Sequence, residues 1–175
     1  MADMCTEYPS LRERTQLVDQ VGLRTQLRER FGFSDQDLSG LTFFQSNKRL
    51  VSVIDKQHEP EGVDAIQTMG IPFVHANMVI PKLSSAAVFL LGARAKKNVI
   101  ELHRVQVETF MTRQPITLKA DGLSGCMGNG YVLVRHQGYT IGVGMIRFSE
   151  QLNEAELESY FPKVWASKSE TVFPC

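Results

Sequence analysis

The chain has 175 residues, room for one domain or two small ones, with 43% hydrophobic and 22% charged residues. That balance excludes a disordered polyelectrolyte and fits a globular protein with a real core. Lysine plus arginine equals aspartate plus glutamate at 19 each, so net charge singles out no partner class and only the distribution of charge is informative.

From Ser10 to Phe31 the pattern is helical, with Ser10 as N-cap and Glu13 completing a capping box. Leu17, Val21, Leu27 and Phe31 follow one face, Gly22 weakens the middle and Gly32 ends it. A short helical turn is expected at Ser34 to Leu38. In "LTFFQSNKRLVSVID" two apolar runs flank Ser46-Asn47-Lys48 and predict a β-hairpin. The charged "KQHEPEG" breaks the pattern, and Ile66, Met69 and Gly70 suggest a short helix or turn. "IPFVHANMVI" reads as a strand closed by Pro81. "SSAAVFLLG" reads as a buried helix capped by Ser84 or Ser85, with Gly92 past its end. "NVIEL" is a short strand. "HRVQVETFMTR" is a helix that offers Val105, Val107, Phe110 and Met111 for packing. The glycine-rich loop "KADGLSGCMGNG" leads into "GYVLVRHQGYTIGVGMI", two strands joined at Gly138. Gly142 and Gly144 interrupt the second of these, which marks a bend or a close approach of other atoms. "NEAELESYF" is expected to be helical and stopped by Pro162, and "SETVFPC" to form a last strand. The fold class is α+β, with a boundary near Lys97 between a three-stranded α/β part and a part made mostly of strands.

Charges are unevenly placed. No acid lies between Asp64 and Glu101, an interval that holds Lys82, Arg94, Lys96 and Lys97. None lies between Asp121 and Glu150, which holds Arg135, His136 and Arg147. A neutral chain can therefore present a basic face, which phosphates attract whatever the nucleic-acid sequence. The alternative reading is that these are solvated charges on unrelated surfaces.

Signals for catalysis are weak. The histidines His58, His75, His103 and His136 show no HxxxH or HExxH spacing, and neither GxSxG nor GxxxxGK[ST] occurs. "GLSGCMGNG" is not a dinucleotide fingerprint, because a strand and not a helix follows it. Cys5, Cys126 and Cys175 are odd in number and far apart, which predicts reduced thiols and no zinc framework. Cys126 lacks an evident base and reads as a small loop residue. The first residues, "MADMCTEYPSLRERTQ", contain no apolar signal region, and the longest apolar run, Ala86 to Ala93, falls well short of the ~20 residues that span a bilayer. A soluble, cytoplasmic protein with no membrane partner, metal or cofactor is expected.

The hairpin from Gly130, through Tyr131 to Val134 and Gly138, to Ile141-Gly142-Val143-Gly144 resembles the core hairpin of PUA domains, small RNA-binding pseudobarrels. "NVIELHRVQVETFMTRQPITL" is similar to the first strand and helix of such domains. "IPKLSSAAVFLLGARAKKNVIEL" and "YFPKVWA" resemble segments of the C-terminal region of Sun-type RNA cytosine methyltransferases, and the likeness runs from about Ile80 to Ala166. It implies an N-terminal pre-PUA domain over 1–97 and a PUA domain over 98–175. It implies binding of structured RNA, tRNA or rRNA, in RNA modification, ribosome biogenesis or translation. An RNA-modifying enzyme or ribosomal protein is a further partner class. By position it points to Arg104 and the helix through Arg113, the loop from Lys119 to Asn129, Arg135 and Lys163. The charge map adds Lys82, Arg94, Lys96 and Lys97. His136 and Tyr139 sit at the hairpin turn, Tyr139 as a stacking candidate, while a lone Trp165 is favoured as a packing residue. The Pro174-Cys175 pair is the only echo of a methyltransferase nucleophile, so no catalytic activity is expected. The competing reading is a protein-interaction subunit that targets a separate RNA methyltransferase or ribosomal factor.

Overall fold

Asp19 starts helix α1 (Gln20–Phe31) by accepting a hydrogen bond from the Gly22 amide at 2.9 Å. Gly32, at φ 67°, ends the helix and donates to the Arg28 carbonyl. Gly22 thus falls in the first turn, where a glycine breaks no helix. The structure, a computed structural model, describes residues 18–58, 69–149 and 151–166. The expected capping box at Ser10 and Glu13, the turn near Ile66 and the last strand at "SETVFPC" lie outside them.

Helix α2 (Asp35–Ser39) carries a capping box, with Ser34 and Asp37 each bonding to the other's backbone amide. Strands β1 (Leu41–Asn47), β2 (Leu50–Asp55) and β3 (Ile71–His75) form an antiparallel sheet in that order. The expected hairpin is present. The expected third strand is shorter than its apolar pattern, because the chain turns at Asn77, at φ 58°, and leaves Val79 in solvent. Ser84 caps α3 (Ser85–Leu91) by accepting from the Ala87 amide at 3.1 Å.

The second sheet has the order β4-β6-β7-β8-β5 and curls into a half-barrel. β4 (Val99–Glu101) runs parallel to β6 (Gly130–His136), and the remaining pairs, with β7 (Tyr139–Ser149), β8 (Glu154–Ser159) and β5 (Ile116–Lys119), are antiparallel. Helix α4 (Arg104–Met111) follows β4 and buries Val107 and Phe110, while Val105 faces solvent and not the core. The molecule is thus α+β, with one sheet in each part.

One sequence-based expectation is corrected. "NEAELESYF" was expected as a helix, from the helix-favouring Glu, Ala and Leu, and it forms strand β8. Its buried residues are Ala155, Leu157 and Ser159, a period of two, and it pairs with both β5 and β7. Sheet pairing on both edges overrides intrinsic helix propensity, which is worth only a few tenths of a kcal/mol per residue. Strand β5 carries too short an apolar pattern to be read in advance.

Two cores share the hairpin. The first holds Leu27, Phe31, Phe43, Phe73 and Val88 together with Tyr131, Leu133 and Val143. The second holds Leu102, Phe110, Val132, Val134, Ile146 and Leu157. β6 is buried on both faces, so odd positions enter one core and even positions the other, and residues on both sides of Lys97 build the first. β7 is the middle strand of five. A Cβ at Gly142 would stand 3.0 Å from Phe110, and one at Gly144 would stand 2.5 Å from Leu157 and 3.2 Å from the Glu158 carbonyl. The two glycines make room for second-core side chains and for the neighbouring backbone.

Asn98 ties the layers together. It is fully buried, at φ 52°, and every polar group it owns is bonded. Its amide donates to Gly125 at 3.0 Å, its carbonyl accepts from Leu133 at 2.8 Å, its Oδ1 accepts from the Met127 amide at 2.7 Å, and its Nδ2 donates to the Arg30 carbonyl. Asn98→Ala strands the Met127 amide and the Arg30 carbonyl and places alanine in a left-handed conformation. The expected loss is about 2–4 kcal/mol of unfolding free energy, measured by urea titration. Asn98→Gly, which relieves the backbone strain, is expected to lose less.

Candidate functional site

Between β3, the start of α3, β7 and the segment after β8 lies a cleft of about 290 Å³. Its position follows from two tethers. The isolated bridge between Val74 and Leu83 folds the β3–α3 connection back onto the first sheet. The Ser159 hydroxyl donates to the Phe110 carbonyl at 2.6 Å and accepts from the Phe161 amide at 3.2 Å, which turns the chain leaving β8 toward α3.

Lys82 lies in this cleft with its ammonium 3.8 Å from the Tyr160 ring centre and 5.4 Å from that of Tyr131. Such cation–π contacts hold an ammonium away from water at modest gain. Burial keeps Lys82 below the usual lysine value, Arg113 acts in the same direction and Glu158 partly offsets both. Among the described residues no carboxylate lies within ion-pair distance of Lys82, and Glu158 instead pairs with Arg147 at 2.9 Å. Arg113, at φ 64°, donates to the Phe161 carbonyl and so stands at the same segment. His75 lines the cleft too. Burial and then Lys82 lower its pKa, which leaves it neutral at neutral pH. At the rim Phe89 and Trp165, 68% and 52% exposed, approach to 6.0 Å, with Phe161 a further 6.3 Å from Trp165. Trp165 was favoured as a packing residue, and half of its surface is open.

The other residues singled out in the sequence are scattered. Arg135 donates to the carbonyls of Gly92, Ala93 and Ala95 at 2.8, 2.9 and 2.8 Å, and to the Thr140 hydroxyl at 3.3 Å. These carbonyls belong to the 3-10 turn Gly92–Arg94 that follows α3 and to Ala95 after it, so the guanidinium holds that turn and pins it to the hairpin. Arg94 pairs with Asp37 at 3.2 Å and Arg104 with Glu108 at 3.6 Å. Arg147 is held by Glu156 and Glu158. The acid-poor intervals of the chain therefore meet acids supplied from elsewhere in the fold. His136 Nδ1 lies 2.8 Å from the Leu102 carbonyl. Tyr139 projects from the hairpin turn, which Gln137 and Gly138 make at φ 50° and 82°. Lys96, Lys97 and Lys163 are exposed. The amides of Lys96 and Lys97 both donate to the Phe31 carbonyl, at 2.8 and 3.1 Å, which fixes this lysine pair over the end of α1.

Sequence reasoning gave no weight to His75 or Tyr160 as site residues. The apolar neighbours of His75 suggested a structural histidine, and no pattern in the chain announces that it and Tyr160 meet across a cleft.

Cys126 offers little as a nucleophile. Burial pushes its thiol up, Arg30 offsets part of that, and an activated cysteine needs the opposite shift. Among the described residues no group of three or more His, Cys, Asp or Glu is placed to hold a metal ion, and no helix is long and apolar enough to cross a membrane. No family model matches the chain, and no curated protein matches it.

Two outcomes follow. Arg135→Ala should cost about 2–3 kcal/mol, because charged hydrogen bonds to backbone carbonyls are lost, and Arg135→Lys should recover only part, since an ammonium cannot serve the same fork. Chemical denaturation of the three proteins checks this. His75 has a folded-state pKa below its unfolded value of ~6.5, so between the two the unfolded chain binds more protons. Its contribution is complete above about pH 6.5 and is lost as the pH falls through that window. The denaturant midpoint should therefore drop from pH 7.5 to pH 5, and His75→Gln should flatten the drop.

Proposed function

We propose that this chain is an RNA-binding protein, with a pre-PUA domain over 1–97 and a PUA-type pseudobarrel over 98–175, which binds structured RNA and performs no catalysis. The observation that carries this reading is the cleft itself. It combines an unpaired, half-buried ammonium at Lys82 with open aromatic rings at Phe89 and Trp165, and Arg113, bonded to the Phe161 carbonyl, adds positive charge beside it. Cations that position phosphates and aromatics that receive unstacked bases are the two ingredients of RNA recognition. The exposed Lys96, Lys97 and Lys163 add phosphate contacts outside the cleft, and Tyr139 adds a second open ring. Arg135 is engaged by four hydrogen bonds within the protein, whereas Arg94 and Arg104 sit in surface ion pairs with more than half of each side chain exposed and, with His136, stay in the proposed contact set.

The α+β architecture and the curled five-stranded sheet are compatible with a PUA-type module, and the double glycine of β7 serves its packing. Action in tRNA or rRNA modification, ribosome biogenesis or translation, and a cytoplasmic location, belong to the same proposal and follow from the sequence resemblance. A second reading, a protein-interaction subunit that targets an RNA-modifying enzyme or ribosomal factor, is favoured by the apolar residues Leu90 and Val164 that accompany Phe89 and Trp165 at the surface.

Electrophoretic mobility shift with a tRNA transcript separates the two. RNA binding predicts a shift at low salt whose log K falls linearly with log salt. It predicts a smaller slope, by roughly one per lost phosphate contact, for Lys96→Gln and Lys97→Gln. No shift at 50 mM salt, or one that the double variant leaves unchanged in affinity and slope, would favour the protein-interaction reading.

A further inference from the structure

We propose that the cleft around Lys82 takes a single unpaired nucleotide of an RNA strand, with the phosphate on Lys82 and the base against Phe89 and Trp165. The inference rests on the RNA-binding reading and names the ligand of the cleft.

Size sets the first limit. At about 290 Å³ the cleft sits at the bottom of the ~300–1,000 Å³ range of small-molecule sites. It has room for one nucleotide and not for a dinucleotide cofactor or a helical stem. Charge sets the second. Lys82 has no carboxylate partner among the described residues, and Glu158, the acid that acts on it, is held by Arg147. Lys82 therefore leaves positive charge uncompensated within the cleft, and Arg113, held at the neighbouring Phe161 carbonyl, adds to it from outside the lining. An anion on Lys82 offsets that charge, whereas a cationic or apolar ligand leaves it in place.

The third limit is the geometry of the rings. Tyr160 lies beneath the Lys82 ammonium, so its face is already occupied. Phe89 and Trp165 are different. They meet at 52° between planes at the mouth of the cleft and keep open faces. A flat group can rest there while an anionic group attached to it reaches inward to Lys82. Neutral His75 adds one ring nitrogen able to donate and one able to accept. A planar base joined to a phosphate fits all three limits. An extended apolar peptide would cover the rim but would bury Lys82 without a counter-charge, at a cost.

The chain's single tryptophan makes the proposal directly readable, because stacking of a base on Trp165 quenches its fluorescence. The probes are a single-stranded oligoadenylate and AMP, each titrated into the full chain at low salt. Saturable quenching by the oligoadenylate is expected, at concentrations at least ten-fold below those needed for AMP. Lys82→Gln should weaken the oligoadenylate roughly ten-fold. Phe89→Ala, at an exposed position where folding is not at stake, should weaken it roughly five-fold or more, as a lost base–aromatic stack does. Anisotropy of a labelled oligoadenylate gives the same comparison without relying on tryptophan.

AMP binding as tightly as the oligomer would assign the cleft to a free nucleotide and overturn the proposal. Unchanged fluorescence, or full affinity in both Lys82→Gln and Phe89→Ala, would overturn it as well. A tRNA mobility shift run beside these titrations keeps the two levels apart. A shift without any Trp165 response removes only the cleft assignment, and the absence of both removes the RNA-binding reading with it.

Discussion

The buried amide of Asn98 is the constraint on which the rest of the molecule depends. It joins the end of α1, the glycine-rich loop and β6 through four hydrogen bonds, none of which water can replace in that position. A buried polar group that is fully satisfied specifies one arrangement of its neighbours, because each alternative leaves a donor or acceptor unpaired. Its left-handed backbone also sets the direction in which the chain leaves Lys96 and Lys97 and enters β4. The exposed lysine pair and the second sheet therefore take their relative positions from one residue. Arg30 reinforces the joint, with hydrogen bonds to the Tyr131 and Met127 carbonyls at 2.9 and 3.1 Å. Its remaining nitrogen, Nη2, is buried without a protein partner among the described residues, and burial lowers its pKa.

The hairpin β6–β7 is the second organising element. Both of its faces are buried, so its side chains alternate between two cores and its glycines admit Phe110 and Leu157. Arg135 extends this strand pair sideways to the end of α3, and α3 carries Phe89 to the rim of the cleft. The cleft is thus a by-product of how the two sheets are joined. Lys82 comes from the connection after the first sheet, and Tyr160 and Trp165 from the chain leaving the second. No single element contains the site, and a perturbation of the joint would reach it.

Several features were legible in the chain because they are local. The hairpin turn at Gly138, the Ser84 cap, the helical turn from Ser34 and the α1 stop at Gly32 each depend on residues within four positions of one another. Strand β8 was not legible for the opposite reason. Glu154 to Ser159 carries a helix-favouring composition, and only its place between β5 and β7 makes the extended form pay. The acid-poor intervals supply Lys82, Lys96 and Lys97, which no acid pairs with among the described residues, while Arg94 and Arg147 from the same intervals meet acids from elsewhere in the chain. Asp37 lies far along the chain from Arg94, and the Glu156 and Glu158 that hold Arg147 belong to a strand that composition disguised.

What the sequence by itself determined is the α+β class and most helix ends and turns, set by short-range pattern and periodicity. Only the tertiary structure decided which cations are free. Arg135 became the tie that holds the turn after α3, and Lys82 an unpaired ammonium over a ring, although both stand in acid-poor stretches of the chain. The physical reason is that a charge is quenched by whatever folds against it, and those neighbours are tens of residues away in sequence. Gly142 and Gly144 show the same division. Their presence in a strand announced a close approach, while the identity of what approaches, Phe110 and Leu157, was set by packing alone.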